Sequence, residues 1–455
     1  MPLAPYKIPS GRYLKNGSWK PPGKKTFKWF STPHRTINVT REGEYQPIKY
    51  EPFNPGSRSH IKKWMEEDYG YTFPYYTEKG SPKVDPESLD NMNHPAGKML
   101  KRFLKVGKDQ SQIGNGAGSL ISHYNENTKG IHCRVDTNGT ITGRFSVNSP
   151  NMAQIPSQEE FRELFSAPEG WTFVGVDFSQ QELVNLAHFL YPYDGGAYAK
   201  TVADGNKEDE TDPHNVHKRL AGLDTRGQAK VFGFQYLYGA GEVVLGAAVR
   251  SELLADYTDK EYATAKKKID RRIVIIDDMP LFPIKKDKYI QVTELLIHQA
   301  IYGNRIVTKF EKNFPGLSEL IKALQKEAKD YGTITIPGGR VMPCRSSRNA
   351  LNTAMQSLGG TAMKYYLVAI HRELAKEGII HGKHFIQQAT IYDEVDMIVK
   401  TEYAEAVGKT LERCFSIISE ELSLNTHYKG EALLGGISID TDTKLPIANS
   451  WWGCH

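Results

Sequence analysis

The run Trp171–Asp177 (WTFVGVD) is short, rich in β-branched and aromatic residues, and ends on an acid. This pattern predicts a strand. A helical pattern follows at once in QELVNLAHFL. Further helical runs are predicted over Arg226–Tyr238 and Arg348–Tyr366, with the acidic, glycine-containing loop Asp204–Asp212 before the first. Residues 251–300 carry a basic cluster of Lys266, Lys267, Lys268, Arg271 and Arg272, then a strand-like piece, Ile273–Ile276. Gln388–Val399 (QATIYDEVDMIV) reads as strand, tight acidic turn, strand, and a long amphipathic helix is predicted over Glu402–Leu422. Upstream, the first hundred residues are rich in Pro, Gly and Lys, with helical stretches near His60–Glu67 and Ala96–Val106. Gly130–Ser146 reads as strands and turns, punctuated by Asp136, Asn138 and Gly139. There is no internal repeat and no extended low-complexity tract.

The 455 residues are enough for several domains or one multi-lobed body, and 39% apolar with 24% charged residues is ordinary for a globular protein. The net charge of +5 says less than its distribution. Residues 1–41 contain no Asp or Glu, yet hold nine Lys or Arg residues interleaved with Tyr13, Trp19, Phe27, Trp29 and Phe30. Such a stretch suits phosphate neutralisation combined with base stacking or packing on a partner. A solvated basic tail accounts for it equally. Cys133, Cys344, Cys414 and Cys454 lie far apart with no CxxC spacing, so neither a disulfide framework nor a zinc site is expected. No apolar run approaches the roughly 20 residues of a membrane span, and no apolar signal core opens the chain. A cytoplasmic protein with no membrane partner is expected.

Asp177 and Asp393 both fall at predicted strand ends. Phosphoryl transfer to a 3′-hydroxyl uses two hard cations about 4 Å apart, and hard cations want carboxylate oxygens on rigid supports. Either acid alone reads as a helix cap or turn residue. Arg226, Lys230, Phe234 and Tyr238 recur every fourth residue and so share one slowly drifting helix face. Two cations followed by two aromatics suit a nucleoside triphosphate; a solvated amphipathic helix with a salt-bridged rim has the same periodicity. Arg348, Asn352 and Gln356 repeat the spacing with side chains able to bond groove edges and sugars.

Several segments stand in a fixed order: FNPGSRSHI (53–61) and TEKGSPKVD (77–85), TGRFSVNSPNMAQIP (142–156), DFSQQELVNLAHF (177–189), RGQAKVFGFQYLYGAG (226–241), ALNTAMQSLGG (350–360), IYDEVDMIV (391–399) and the ending Trp452-Gly453-Cys454-His455. Together they resemble family A (DNA polymerase I-like) DNA polymerases, most closely the replicative enzymes of short-tailed bacteriophages. The likeness runs from about residue 50 to the C-terminus, interrupted by an apparent insertion near 251–300.

The resemblance implies an α+β right-hand fold: a basic segment over 1–50, thumb and connection over 51–130, palm over 131–190 and 336–455 with an antiparallel sheet, and helical fingers over 191–335. It implies template-directed addition of dNTPs to a primer on primer–template DNA, in phage genome replication. Two Mg²⁺ ions, for which Mn²⁺ substitutes, would sit on Asp177, Asp393 and the carbonyl of Phe178, with Glu394 in support. Arg226, Lys230 and His214 would contact the triphosphate, Lys230 also protonating the leaving pyrophosphate. Gln180, Glu182 and Phe234 would surround the sugar, the last two excluding a 2′-hydroxyl. Tyr238 would guard the template slot, with Arg144, Arg348, Asn352, Gln356 and Tyr392 along template and primer. Tyr392 stands where the family has His, Gln235 where it has Gly, and Val184 where Arg is frequent.

With only about 50 residues ahead of the thumb-like similarity, a proofreading exonuclease is expected on a separate chain, beside replisome partners such as a helicase–primase and a processivity factor. Asp85-Pro86-Glu87 mimics an exonuclease motif but reads as a helix-start turn. A single-subunit RNA polymerase and a non-catalytic DNA-binding replisome subunit are the alternatives. Glu182 with Phe234 argues against the first, and both aspartates with Lys230 against the second. The setting implied is the cytoplasm of a bacterial host.

Overall fold

The structure, a computed structural model, describes residues 52–424 apart from 91, 93, 115, 117, 179, 277 and 286, together with 448 and 450–452. The basic stretch 1–41 and the terminal Gly453, Cys454 and His455 lie outside the described residues. Two compact units divide at Asp109/Gln110, with Glu78–Gly80 belonging to the second. That division falls inside the segment 51–130. No helix among the described residues is long and apolar enough to cross a membrane.

In the first unit, helix α1 (Arg58–Tyr69) starts where the Ser57 side chain accepts from the His60 amide and stops at Gly70, whose φ of 59° is in the left-handed region. Helix α2 (Pro86–Asp90) opens on Asp85, whose Oδ1 accepts the Ser88 N–H at 2.9 Å. The Asp85-Pro86-Glu87 run is thus a helix start, as its sequence reads. Helix α3 (Pro95–Ile113) follows. Ile61, Met65, Phe73, Val84, Leu89, Met92 and Leu100 form the core of this unit.

The second unit includes a hairpin, β1 (Arg134–Asp136) on β2 (Ser146–Asn148). Strand β3 (Trp171–Asp177) is buried from Thr172 to Val176, and α4 (Gln181–Asp194) runs directly from it. Next come α5 (Pro213–Ala221), α6 (Arg226–Leu237) and α7 (Glu242–Val249). Thr225 and Gln228 close a reciprocal capping box at the head of α6.

The 251–300 segment has a core of its own. Helix α8 (Asp259–Asp270) and strands β4 (Val274–Ile276), β5 (Met279–Lys285) and β6 (Lys288–Gln291) lead into α9 (Glu294–Asn313). Ala265, Ile269, Phe282, Leu296 and Ile301 pack together there with Val243 of α7. In the basic cluster, Lys266 pairs with Asp270 at 2.9 Å and Lys268 with Glu242 at 2.9 Å. Helices α7 and α9 touch backbone to backbone. A Cβ on Gly246 would lie 1.8 Å from the Gln299 carbonyl oxygen, and one on Gly303 1.9 Å from that of Glu242.

After α10 (Leu317–Tyr331), helix α11 spans Ala350–Lys376. The sequence predicts its start at Arg348. Instead Ser347–Asn349 form a 3-10 turn in which the Ser346 side chain accepts from the Arg348 amide, so the helix begins two residues later. It also continues past Tyr366, as no breaker intervenes before Gly378. Strands β7 (Phe385–Ile391) and β8 (Glu394–Lys400), helix α12 (Ala404–Glu421) and strand β9 (Ile447–Ala448) complete the unit. The central sheet is antiparallel, ordered β7-β8-β3-β9. Its back is filled by Phe178, Tyr366 and Phe415, whose ring centroids lie 4.5–5.2 Å apart.

Two buried histidines make this unit sensitive to acid. Burial, opposed by a hydrogen bond with the Leu424 backbone, pushes His188 down to about 4. Burial and the neighbouring His214, opposed by Asp212, push His217 down to about 3. The unfolded chain takes up a proton at each site as pH falls through about 6.5, while the folded chain does not. Their contribution is therefore complete above that value and is lost as pH falls below it, about 2 kcal/mol per site at pH 5. Urea unfolding of His217→Gln should show a loss between pH 7 and pH 5 about 2 kcal/mol smaller than that of the parent chain. An unchanged loss would overturn this assignment.

Candidate active site

Antiparallel pairing places the two distant acids together. Along β3 and β8 the register runs from Trp171 opposite Lys400 to Asp177 opposite Glu394. One residue beyond each strand end, the Phe178 amide donates to the Asp393 carbonyl at 3.1 Å. Tyr392, 53% exposed and with φ of 56°, makes the tight turn before Asp393. Burial, then the Asp177 charge and the Glu182 charge, push the Asp393 carboxyl up to about 7. Facing carboxylates with this mutual repulsion fit a hard divalent cation, which would offset it. Among the described residues no group of three or more His, Cys, Asp or Glu is arranged to hold a metal. A pair of carboxylates leaves most of a coordination shell open, which suits an ion such as Mg²⁺ that keeps several waters or substrate oxygens.

Glu182, on the first turn of α4, links two other predicted site residues. Its Oε1 accepts from Arg144 Nη2 at 3.2 Å and from the Tyr238 hydroxyl at 2.8 Å. Burial and the Glu182 charge push that phenol up to about 12. Asn352 Nδ2 donates to the Tyr238 carbonyl at 3.2 Å, tying α11 to the end of α6. Gly360 permits another close approach: a Cβ there would meet the Arg144 backbone at 3.1 Å. Gln180 caps α4 from the left-handed region (φ 45°), its side chain bonding no helix amide. Gln356 is half-buried on α11, whereas Arg348, on the turn before that helix, is exposed. The Gln235 Oε1 is buried with no hydrogen-bond partner.

The α6 face carries Arg226, Lys230 and Phe234, and α5 brings His214 beside them, its ring 5.6 Å from that of Phe234. Burial and then the Arg226 charge lower the His214 pKa, with Asp212 opposing. Arg226 is already engaged. Its Nε and Nη2 donate to Asp212 Oδ2 at 3.0 and 2.6 Å, while Asp212 Oδ1 accepts from Asn215 Nδ2 at 2.6 Å and caps α5 through the Asn215 amide. Burial works to raise the Asp212 carboxyl, but these hydrogen bonds together hold it below the usual carboxylate range. Asp212 is a site neighbour whose sequence signal is the Asp-Pro pair at a helix start. Behind α6, His217 lies so close that a Cβ on Gly233 would fall 2.8 Å from its Nδ1. Glu394 accepts from Trp451 Nε1 at 2.7 Å and from Arg162 Nη2 at 3.4 Å, two partners that no sequence pattern marked.

A profile of DNA polymerase family A matches residues 31–272. The DNA-directed DNA polymerases of Enterobacteria phage T3 and Escherichia phage T7 are each 29% identical to the chain over 433 residues, covering 90% of it and 54% of the relative. The thermostable DNA polymerase I of Thermus aquaticus is 27% identical over 205 residues, covering 44% of the chain and 24% of that protein. The chain therefore spans about half the length of the phage relatives. The POL domain of Pol1 from M. smegmatis, in complex with DNA primer-template and dNTP, superposes with a TM-score of 0.59 at 16% identity. That match covers 88% of this chain and 61% of that one, and so has the same α+β fold.

The double role of Asp212 is separable by substitution. Asp212→Ala removes both the cap and the counter-ion of Arg226, and should cost roughly 2–3 kcal/mol in urea unfolding. Asp212→Asn keeps a capping side chain and should recover about 1 kcal/mol of it. Equal losses in the two variants would show that the cap contributes nothing.

Proposed function

This chain belongs to DNA polymerase family A, and on that premise we propose that it extends a primer on a DNA template, as DNA-directed DNA polymerases do. The observation that carries the reading is the convergence of Asp177 and Asp393 at one sheet end, in the same unit as a helix face of Arg226, Lys230 and Phe234. In this reading the β3–β8 sheet with α11 and α12 (residues 131–190 and 336–455) is the palm, residues 191–335 are the fingers and 51–130 the thumb. Primer–template DNA and dNTPs are the proposed partners, and replication of a phage genome the proposed setting.

Two Mg²⁺ ions, or Mn²⁺ in their place, would be held by Asp177, Asp393 and the Phe178 carbonyl, and would supply activation of the primer hydroxyl and charge stabilisation at the leaving pyrophosphate. The remaining roles belong to the chain. Arg226 exchanges Asp212 for triphosphate oxygens, aided by His214, and Lys230 donates a proton to the departing pyrophosphate. Glu182 and Phe234 close the 2′ side of the sugar, with Gln180 nearby. Tyr238 leaves the Glu182 carboxylate to release the template slot. Arg144, Asn352 and Gln356 then follow the minor groove at the primer end, where all correct pairs offer similar acceptors, with Arg348 and Tyr392 flanking them.

Gel-based extension of a matched primer by the purified chain tests the reading directly. Asp177→Ala or Asp393→Ala should lower extension by about 10³-fold or more, the worth of several kcal/mol of transition-state charge stabilisation. Primer–template affinity in a gel shift should stay largely unchanged, because phosphate contacts supply that term. Near-parental turnover in either variant would remove the metal assignment. Phe234 has no hydroxyl to stand in for a missing 3′-hydroxyl. The chain should therefore discriminate against dideoxynucleotides, and Phe234→Tyr should relieve this about tenfold, the worth of one hydrogen bond. Equal use of deoxy- and dideoxynucleotides by the parent would contradict it.

A further inference from the structure

We infer that Trp451 and Arg162 are positioning residues for Asp393, acting through Glu394. This inference rests on the reading of Asp393 as a metal-holding carboxylate and adds the C-terminal segment to the working parts of the site.

Strand β9 pairs antiparallel with β3, Ala448 opposite Phe173 and Ile447 opposite Val174. The Thr172 hydroxyl donates to the Ala448 carbonyl at 2.7 Å. Ser450 bridges to Ser166, and the Trp451 amide donates to the Phe165 carbonyl at 3.0 Å. These bonds deliver the Trp451 indole, 3% exposed, edge-on to Phe165 at 5.3 Å. From there its Nε1–H donates to Glu394 Oε1 at 2.7 Å. Arg162 closes the triangle: its guanidinium lies 4.6 Å above the indole and donates through Nη2 to Glu394 Oε2 at 3.4 Å.

Glu394 is buried, and both of its carboxylate oxygens have a donor. A buried carboxylate costs several kcal/mol unless paired and hydrogen-bonded. An apolar side chain would fill the same volume without that cost. What the triangle adds is direction. Glu394 is the first residue of β8, in register with Asp177 on one side and Ile391 on the other. The only residues between Ile391 and Glu394 are Tyr392, in the left-handed region, and Asp393. Sheet pairing sets both ends of this two-residue turn, and the triangle adds a fixed side-chain direction to the residue that follows Asp393. Freedom left to the Asp393 carboxylate is rotation about its own side chain. Partners that orient a metal-binding group from behind are commonly worth 10–100-fold in metal affinity or activity.

The test uses the full chain with Trp451→Phe, which keeps the ring packing on Phe165 and removes the donor. Relative to the parent, kcat for matched extension should fall on the order of 10-fold with KM for dNTP unchanged. Binding of Mn²⁺ to the complex with a dideoxy-terminated primer–template and the next dNTP, followed by the spin resonance of free Mn²⁺, should weaken by a similar factor. Glu394→Gln combined with Trp451→Phe should lose no more than the worse single variant, because the two act as one unit. Parental kcat and Mn²⁺ affinity in a folded Trp451→Phe chain would overturn the inference. So would a loss that merely tracks a lowered thermal midpoint, with normal kcat in the folded fraction. A parent chain that extends no primer would instead defeat the polymerase reading.

Discussion

Everything in the site depends on the register between β3 and β8. Side chains alternate faces along a strand, so slipping one strand by a single residue would exchange its two differently packed faces, sending the Val174 and Val176 set to the side where Phe173 and Ile398 pack. Val174 and Val176 on one strand, and Val395, Met397 and Val399 on the other, are buried in the shared core. Burial of that set is what holds the register. The constraint extends one residue past the strand end, where the Phe178 ring stacks edge-on against Tyr366 and Phe415. With the ring anchored, the peptide between Asp177 and Phe178 has little freedom. A hydrophobic residue thereby sets the position of a carboxylate and of a carbonyl oxygen, with no chemistry of its own.

Three of the groups read as substrate-binding have internal partners before any ligand arrives. Arg226 rests on Asp212, and Tyr238 and Arg144 share one oxygen of Glu182. Ligand binding at such a site is an exchange of partners, and its net free energy is the difference between two sets of contacts. The arrangement keeps the charges of Arg226, Arg144 and Glu182 compensated.

Much of this was legible in the sequence because it is local. The WTFVGVD strand, the acidic hairpin around Asp393 and the four-residue spacing on α6 all have periodic signatures, and each element stands where the periodicity puts it. Helix ends were less legible: Arg348 fits the helical repeat, yet the Ser346 side chain diverts the chain into a tighter turn. The 251–300 segment reads as an interruption, although Ile269, Phe282 and Ile301 give it a core. The contacts of Asp212 with Arg226, and of Arg162 and Trp451 with Glu394, join residues from 14 to 232 positions apart in the folded unit. Partnerships of that kind leave no periodic trace in one sequence, since each residue alone is an unremarkable loop or helix position.

The paired glycines of α7 and α9 have a consequence for how this lobe varies. Because the two helices meet main chain to main chain at these glycines, the path that leaves at Val249 and returns at Glu294 begins and ends beside one stapled point. Lengthening, trimming or replacing the intervening excursion would leave that staple, and the α6 helix that precedes it, in place. Putting any side chain at Gly246 or Gly303 would instead pry the staple open, and the disturbance would run straight into the helix that carries Lys230.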